Sequence, residues 1–334
     1  MATSTLIPPD DLGDDATLDA NIVAALPTSS ETHFVAPSGE SLWVQTVKIE
    51  ARDGDNGTET FFKKSASGDD GYAILKGAFE AENALYEFIP EYVPRPVSFG
   101  TYMTHPDVHF YICDFVDMVD EAPSPAAWAE AAATLHKRSN WPEGKFGFHC
   151  PTHVANVIVD NIQDSSWEAV WTHQVKSLLR QDEALHGIDE EYSQLQETFF
   201  DVVVPRYLGA LESNGRTITP CLVHSNLWPG NIKPRAGSDT ICMFDSCACW
   251  AHHEAELAVC RNPRYRLGQS YIDEYLKHMP ISEPVEDFDI RNAIYAIKQH
   301  IIISLCFHED PDFKQLAMKE MKRLVEQVDQ SSCN

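Results

Sequence analysis

Basic side chains are scarce in this chain: 25 Lys and Arg stand against 51 Asp and Glu, a formal net charge of −26 at pH 7. A far field of that sign repels phosphate backbones and anionic lipid surfaces, so neither nucleic acid nor a membrane is expected as a partner. Long apolar runs are missing too, and no stretch approaches the roughly 20 residues that cross a bilayer. The opening residues MATSTLIPPDDLGDDATLDA have neither the basic start nor the apolar core of a secretory signal, and the expected location is cytoplasmic. Paired CxxC spacings are absent. In a reducing compartment the nine Cys are expected as thiols, and the cluster Cys242, Cys247, Cys249 and Cys260 lacks the ligand spacing of a structural zinc site. No internal repeat or low-complexity tract is evident. A phosphorylated small ligand survives these exclusions, because a few local Lys side chains and a metal ion overrule an average charge.

What is present is an ordinary globular composition, 43% hydrophobic and 10% aromatic. A length of 334 residues suffices for two lobes with a cleft between them, where ligands tend to bind. Residues 1–35 are polar, acidic and broken by Pro8, Pro9, Gly13 and Pro27, which reads as a loosely held arm. The runs SLWVQTVKI (41–49) and TFFKKS (60–65) have strand composition and flank the turn-rich ARDGDNGTE, so a hairpin is expected. Residues 69–89 then turn to helical periodicity, with Ala78, Glu82 and Leu85 near one face, and Pro90 and Pro94 mark the end. Two more strand-like runs, PRPVSFGTY and HFYICDFVDM, complete a small α+β lobe over 36–118. From 119 to 331 the pattern is mainly helical, with segments at 126–138, 163–187, 189–212, 289–307 and 312–328 and short strands in CLVHSN and TICMFD.

Two segments carry chemistry: HSNLWPGN at 224–231 and FDSCACWAHHEAEL at 244–257. Asp245 closes an apolar strand and offers a hard oxygen ligand, or else caps a turn. Asn231 offers a neutral amide oxygen, or else starts a turn. In TFFKKS the period of two sends Lys63 and Lys64 to opposite faces, and solvent exposure is the ordinary expectation for each.

The order of elements and these two segments resemble the protein-kinase-like fold. The match is closest to the fructosamine/ketosamine-3-kinase family, especially its fungal members, which carry HGDLWSGN or HGDLWYGN and then a segment like FDACCFYAHNEYEL. The resemblance runs from Gly39 to about Val328. It implies a two-lobed α+β, aminoglycoside-phosphotransferase-like fold, ATP and Mg²⁺ as cofactors, and phosphoryl transfer to a small-molecule hydroxyl. By resemblance, Lys64 meets the α/β-phosphates, Asn231 and Asp245 hold metal, and Cys113, Asp114 and Phe115 form the hinge beside adenine. Gly39, Ser41 and Thr46 fall in the phosphate-covering hairpin. The family's Gly-Glu pair that partners this Lys stands here as Gly77-Ala78. Glu82, one turn further on the same helix face, is the substitute, and Glu80 points elsewhere. Trp228, Thr152, His252, His253 and Glu254 are the acceptor-side candidates, with scaffold packing as the alternative, and His224 either braces the loop or replaces the base.

Asn226 is the departure, standing where the family has its catalytic Asp. An amide keeps the shape and one acceptor but is no useful base near neutral pH, a loss of about 10²–10⁴ in rate. The family's CNGNLPQ type of sequence is replaced by HVANVIV after Thr152, and Val154, Val157 and Val159 lead to the expectation of a more apolar acceptor site. Three readings follow. One is an ATP-dependent kinase of a ketosamine or related hydroxylated metabolite; the second is a non-phosphorylating enzyme of fungal secondary metabolism; the third is a catalytically inactive pseudokinase. The sequence specifies no protein partner.

Overall fold

The computed structural model describes residues 18–27, 31–38, 41–52 and 57–332. The chain divides into two compact units, residues 1–120 with 234–245 and residues 121–233 with 246–334. The expected division at 118/119 is thus modified by one excursion. Residues 234–245 are tied into the first unit by backbone bonds from Met243 N–H to Tyr92 O (2.7 Å) and from Ala236 N–H to Asp117 O (2.9 Å), and by Arg235 Nη2 donating to Glu91 O.

In the first unit an antiparallel sheet runs β1 (Glu31–Pro37), β2 (Gln45–Arg52), β3 (Thr58–Ser67), β4 (Pro96–Thr101) and β5 (Val108–Asp114), in the order β1-β2-β3-β5-β4. Alternation along β3 gives each face its own layer. On one face Val47, Ile49, Phe61, Phe110 and Ile112 cluster with Leu18, Ile22 and Leu26 around helix α1 (Ala20–Ala25). On the other, Ala66, Tyr111 and Cys113 pack on Ile74 and Leu75 of helix α2 (Gly68–Phe88), with Phe62 beside them. Each Val, Leu, Ile or Phe fully buried among these contributes about 1.5–3 kcal/mol. Gly71 permits the close approach: a Cβ there would lie 2.8 Å from the backbone carbon of Ala66.

These elements correct the expectation for residues 1–35. Asp19 caps α1 and also accepts the N–H groups of Met103 and Thr104 at 2.8 and 2.9 Å, so residues 18–27 are fastened to the sheet, and β1 begins at Glu31. Residues 1–17 and 28–30, and the expected hairpin glycine Gly39, lie outside the described residues.

The second unit is mainly helical. Ser124 caps the helix Pro125–Arg138, which has Pro at its first position and Lys137 and Arg138 in its last turn, where cations suit the helix dipole. The single helix expected at 189–212 is instead broken into Glu190–Thr198, a π turn at Phe199–Val203 and shorter pieces. Pro205 supplies the reason: it lacks an N–H and its ring clashes with the carbonyl one turn back. Trp167, Trp171, Phe199, Tyr295, Ile301 and Met321 form the core of this unit. Val157 and Val159 belong to it, because pairing of Val157–Val159 with Thr152–Val154 turns them inward. The valine exchange therefore fills the core, which corrects the expectation of an apolar acceptor site there.

Strand Cys221–Val223 pairs antiparallel with Cys249–Ala251, register Val223↔Cys249. Both motif segments consequently leave this ladder at the same end, and Cys247 N–H donates to His224 O (3.0 Å). The eight described Cys are free thiols. Among the described residues no helix is long and apolar enough to cross a membrane.

Candidate active-site elements

In the first unit, the period of two places Lys64 on the α2 side of β3, opposite Thr46 on β2 and Tyr111 on β5. Its ammonium donates to Asp245 in a short ion pair; the Lys64 side chain is 15% exposed and that of Asp245 49%. Burial depresses the Lys64 pKa, but the Asp245 carboxylate, and behind it the charge of Glu82, overcompensate and raise it. Glu82 is 3% exposed on the buried side of α2, so the one-turn shift from Ala78 brings a carboxylate to bear on Lys64. Asp245 has φ +62°, a left-handed conformation that costs a non-glycine residue about 1–3 kcal/mol and clusters at functional sites. The neighbouring thiol of Cys113 is pushed up to about 12 by burial, and is inert as a nucleophile. Lys63 departs from expectation: it is fully buried on the other face and donates to the Tyr102 hydroxyl.

At the expected hinge, Asp114 N–H donates to Arg95 O and Phe115 N–H to Thr60 O, both at 3.0 Å. These two N–H groups are spent inside the unit. The Asp114 carboxylate is held by the Arg95 guanidinium at 3.0–3.3 Å, and Lys48 Nζ sits 4.7 Å over the Phe115 ring.

In the second unit the 224–231 loop is fixed from several sides. The Glu256 carboxylate accepts the N–H groups of both His224 and Ser225, the latter at 3.1 Å. Gln299 Nε2 donates to Ser225 O (2.8 Å) and Trp128 Nε1 to Leu227 O (3.1 Å). These bonds hold Ser225 at φ +60°. His224 is fully buried, and its Nδ1 accepts the N–H of Asn226 (3.3 Å), which is the bracing role. Asn231 Nδ2 donates to Asn226 O (3.0 Å), orienting the amide so that Oδ1, the atom a hard cation takes, lies on its other branch. Asn226 itself is 7% exposed. Trp228 is 37% exposed, stacks on Tyr265 at 5.3 Å and covers Gly230, where a Cβ would lie 2.1 Å from the indole. The partly exposed indole is thereby packed against both Tyr265 and Gly230.

The remaining acceptor-side candidates are internal. Thr152 is fully buried, with its hydroxyl 3.1 Å from both Cys247 Sγ and Asn161 Nδ2. Glu254 is locked in a bidentate pair with Arg291 (2.8 and 3.0 Å), both side chains fully buried, and also accepts Ser282 N–H. His252 lies between the hydroxyls of Tyr295 and Ser282, each at 2.8 Å. His253 reaches the Tyr275 hydroxyl at 3.0 Å. Burial drives both imidazole pKa values well down, with Arg291 adding to the effect at His252 and the His252 charge at His253. Thr152, His252 and Glu254 are therefore scaffold, because their polar atoms are committed to the protein interior. Glu256, Gln299 and Trp128 escape a sequence reading; the acidic spacing in HEAEL was the one available signal for Glu256.

Residues 29–327 match the sequence profile of the family described as fructosamine kinase. A chloroplastic protein-ribulosamine 3-kinase of Arabidopsis thaliana is 26% identical over 221 residues, 63% of this chain and 61% of that protein. Its counterpart in Oryza sativa subsp. japonica is 24% identical over 248 residues, 72% and 66% respectively. The chain thus matches less than two thirds of the length of these curated relatives. Among solved structures, one assigned as a fructosamine-3-kinase from Thermobifida fusca YX-ER1 superposes with a TM-score of 0.71 at 19% identity, covering 93% of this chain and 99% of that one. A variant of aminoglycoside phosphotransferase APH(4)-Ia, in ternary complex with AMP-PNP and hygromycin B, gives 0.60 at 14% identity over 92% and 98%. These likenesses show a protein-kinase-like α+β fold.

Proposed function

The chain belongs to the fructosamine kinase family, and on that premise we propose that it binds ATP with Mg²⁺ and transfers phosphoryl to a hydroxyl of a ketosamine or related small molecule, slowly because of Asn226. The observation that carries this reading is the Lys64–Asp245 pair with Glu82 behind it. Together these are the phosphate-binding cation, its carboxylate partner and a metal-binding carboxylate, gathered in one unit of a strongly acidic protein. By donor chemistry, Asp245 in the first unit and Asn231 in the second each offer a hard oxygen of the kind Mg²⁺ requires, and by family resemblance these residues would hold it. Mg²⁺-ATP would supply the activated phosphoryl group, with Asp245 as a residue that would hold the metal and Lys64 as the cation that would pair with the phosphates.

On the loop, Asn226 accepts a hydrogen bond from the acceptor hydroxyl and orients it. As the bond to the leaving oxygen breaks and that to the acceptor oxygen forms, the hydroxyl proton passes to solvent, because an amide does not take it up. Trp228 offers its exposed face to the acceptor. Asn226 also favours a second reading, nucleotide binding without turnover. Nucleotide titrations with and without Mg²⁺, and ADP formation over a panel of glycated amines with Asp245→Ala in parallel, separate the two. Metal-dependent binding with turnover above the variant supports the kinase. Binding without turnover supports the second reading, and absence of binding removes both.

A further inference from the structure

The second unit holds a cavity of about 330 Å³ whose lining includes His136, Lys137, Thr219, His252, His253 and Ser282. That volume is at the lower end for small-molecule sites. In a chain of net charge −26, no carboxylate is among the described residues that line it; the permanently charged side chain among them is Lys137, which is exposed, while His136 and His252 are buried.

The hydrogen bonds of the cavity floor can be followed in one direction that gives each hydroxyl hydrogen an acceptor. Trp167 Nε1 donates to the Tyr295 hydroxyl (2.9 Å); in this direction the hydroxyl's own hydrogen goes to His252 Nδ1, whereas the reverse leaves that hydrogen no acceptor in the network. His252, neutral, then carries its hydrogen on Nε2 and donates to Ser282 Oγ. Ser282 in turn donates to His253 Nε2 (3.4 Å), His253 donates through Nδ1 to Tyr275, and Tyr275 donates to His136 Nδ1 (2.7 Å). His136 Nε2 lies 3.6 Å from the Glu256 carboxylate that holds the 224–231 loop.

The trio His252, His253 and Glu254 has ligand atoms within 4.8 Å of one another, but a metal there is disfavoured. Arg291 occupies both Glu254 oxygens, and the chain commits His252 Nε2 as a donor. We propose instead that the cavity is a second ligand site, for a small hydroxylated anion whose acid group pairs with Lys137 and whose hydroxyls bind Thr219 and the Ser282–His253 link. At 3.4 Å this is the longest link that joins the cavity floor residues, and one bridging hydroxyl donates to His253 Nε2 while accepting from Ser282. The occupant is thereby connected through Tyr275 and His136 to the carboxylate behind the loop.

The test uses the full chain labelled with ¹⁵N at His, with neither nucleotide nor acceptor, so its outcome is independent of the phosphotransfer reading. In the free protein His252 is protonated at Nε2 and His253 at Nδ1; the opposite tautomers contradict the chain. Gluconate is expected to shift the His253 resonances saturably, and to bind about fivefold or more tighter than inorganic phosphate or sorbitol. Lys137→Gln, at an exposed position in the last turn of its helix, is expected to weaken gluconate by a similar factor while the free variant keeps the His resonances of the folded protein. No saturable shift, equal binding of phosphate or of sorbitol, or undiminished binding to Lys137→Gln overturns the proposal.

Discussion

Replacing Glu256 by Gln isolates what fixes the 224–231 loop. The Glu256 carboxylate is 2% exposed and accepts two backbone N–H groups, from His224 and Ser225. In Glu256→Gln one acceptor oxygen becomes an NH₂ donor facing an N–H. Leaving that buried N–H without an acceptor costs about 1–3 kcal/mol. Ser225 also loses part of what holds it at φ +60°, so the penalty falls on the loop rather than on the core. Local opening becomes easier by the same free energy, which corresponds to amide exchange about 5- to 150-fold faster at positions 224 and 225. Hydrogen exchange read by mass spectrometry on peptides spanning 221–231 measures it, with the core helix at 288–306 as internal control. Unchanged protection within about twofold, or loss of protection spread equally over both segments, would refute the reasoning.

Two further outcomes follow from buried groups. Arg291→Met leaves Glu254 fully buried without its bidentate partner and is expected to cost about 3–5 kcal/mol in urea unfolding, much of it recovered by adding Glu254→Leu; a single-variant cost below about 1 kcal/mol contradicts the assignment. His300 is 5% exposed and burial pushes its pKa down to about 4 from 6.5, Glu320 opposing and Arg261 assisting. The unfolded state therefore binds more protons between those values, and a stability contribution of about 3 kcal/mol, complete above pH 6.5, is lost as pH falls to 4. Urea midpoints at pH 7, 5.5 and 4 should fall less steeply for His300→Gln; parallel profiles refute the assignment.

Legibility in the sequence followed the range of the interactions. That Lys63 and Lys64 point to opposite faces and that Glu82 shares a helix face with Ala78 is readable, because alternation along a strand and one-turn spacing along a helix are local rules; the choice of Lys64 over Lys63 rests on the family resemblance. Lys63 was read as exposed because alternation gives a face but not what covers it, and α1, from a segment too polar to suggest packing, covers that face. Short embedded strands such as Ile241–Met243 were found from their apolar content. That residues 234–245 join the first unit depends on tertiary bonds to Tyr92, Glu91 and Asp117, which no local pattern encodes. The roles of Thr152, His252 and Glu254 were undetermined for the same reason. Their partners Asn161, Tyr295 and Arg291 stand 9, 43 and 37 residues away.

The central claim, that the chain's motifs remain built for phosphoryl transfer, is tested most directly at position 226. The backbone of Asn226 is already held by His224 and Asn231, so Asn226→Asp restores a base without moving the loop. ADP formation with Mg²⁺-ATP and a glycated amine, measured on both forms after nucleotide binding has been titrated with and without Mg²⁺, is the decisive measurement. The account predicts an increase of at least about tenfold in Asn226→Asp, a floor below the full contribution of a general base. Intact, metal-dependent nucleotide binding in both forms with no gain in transfer would contradict it.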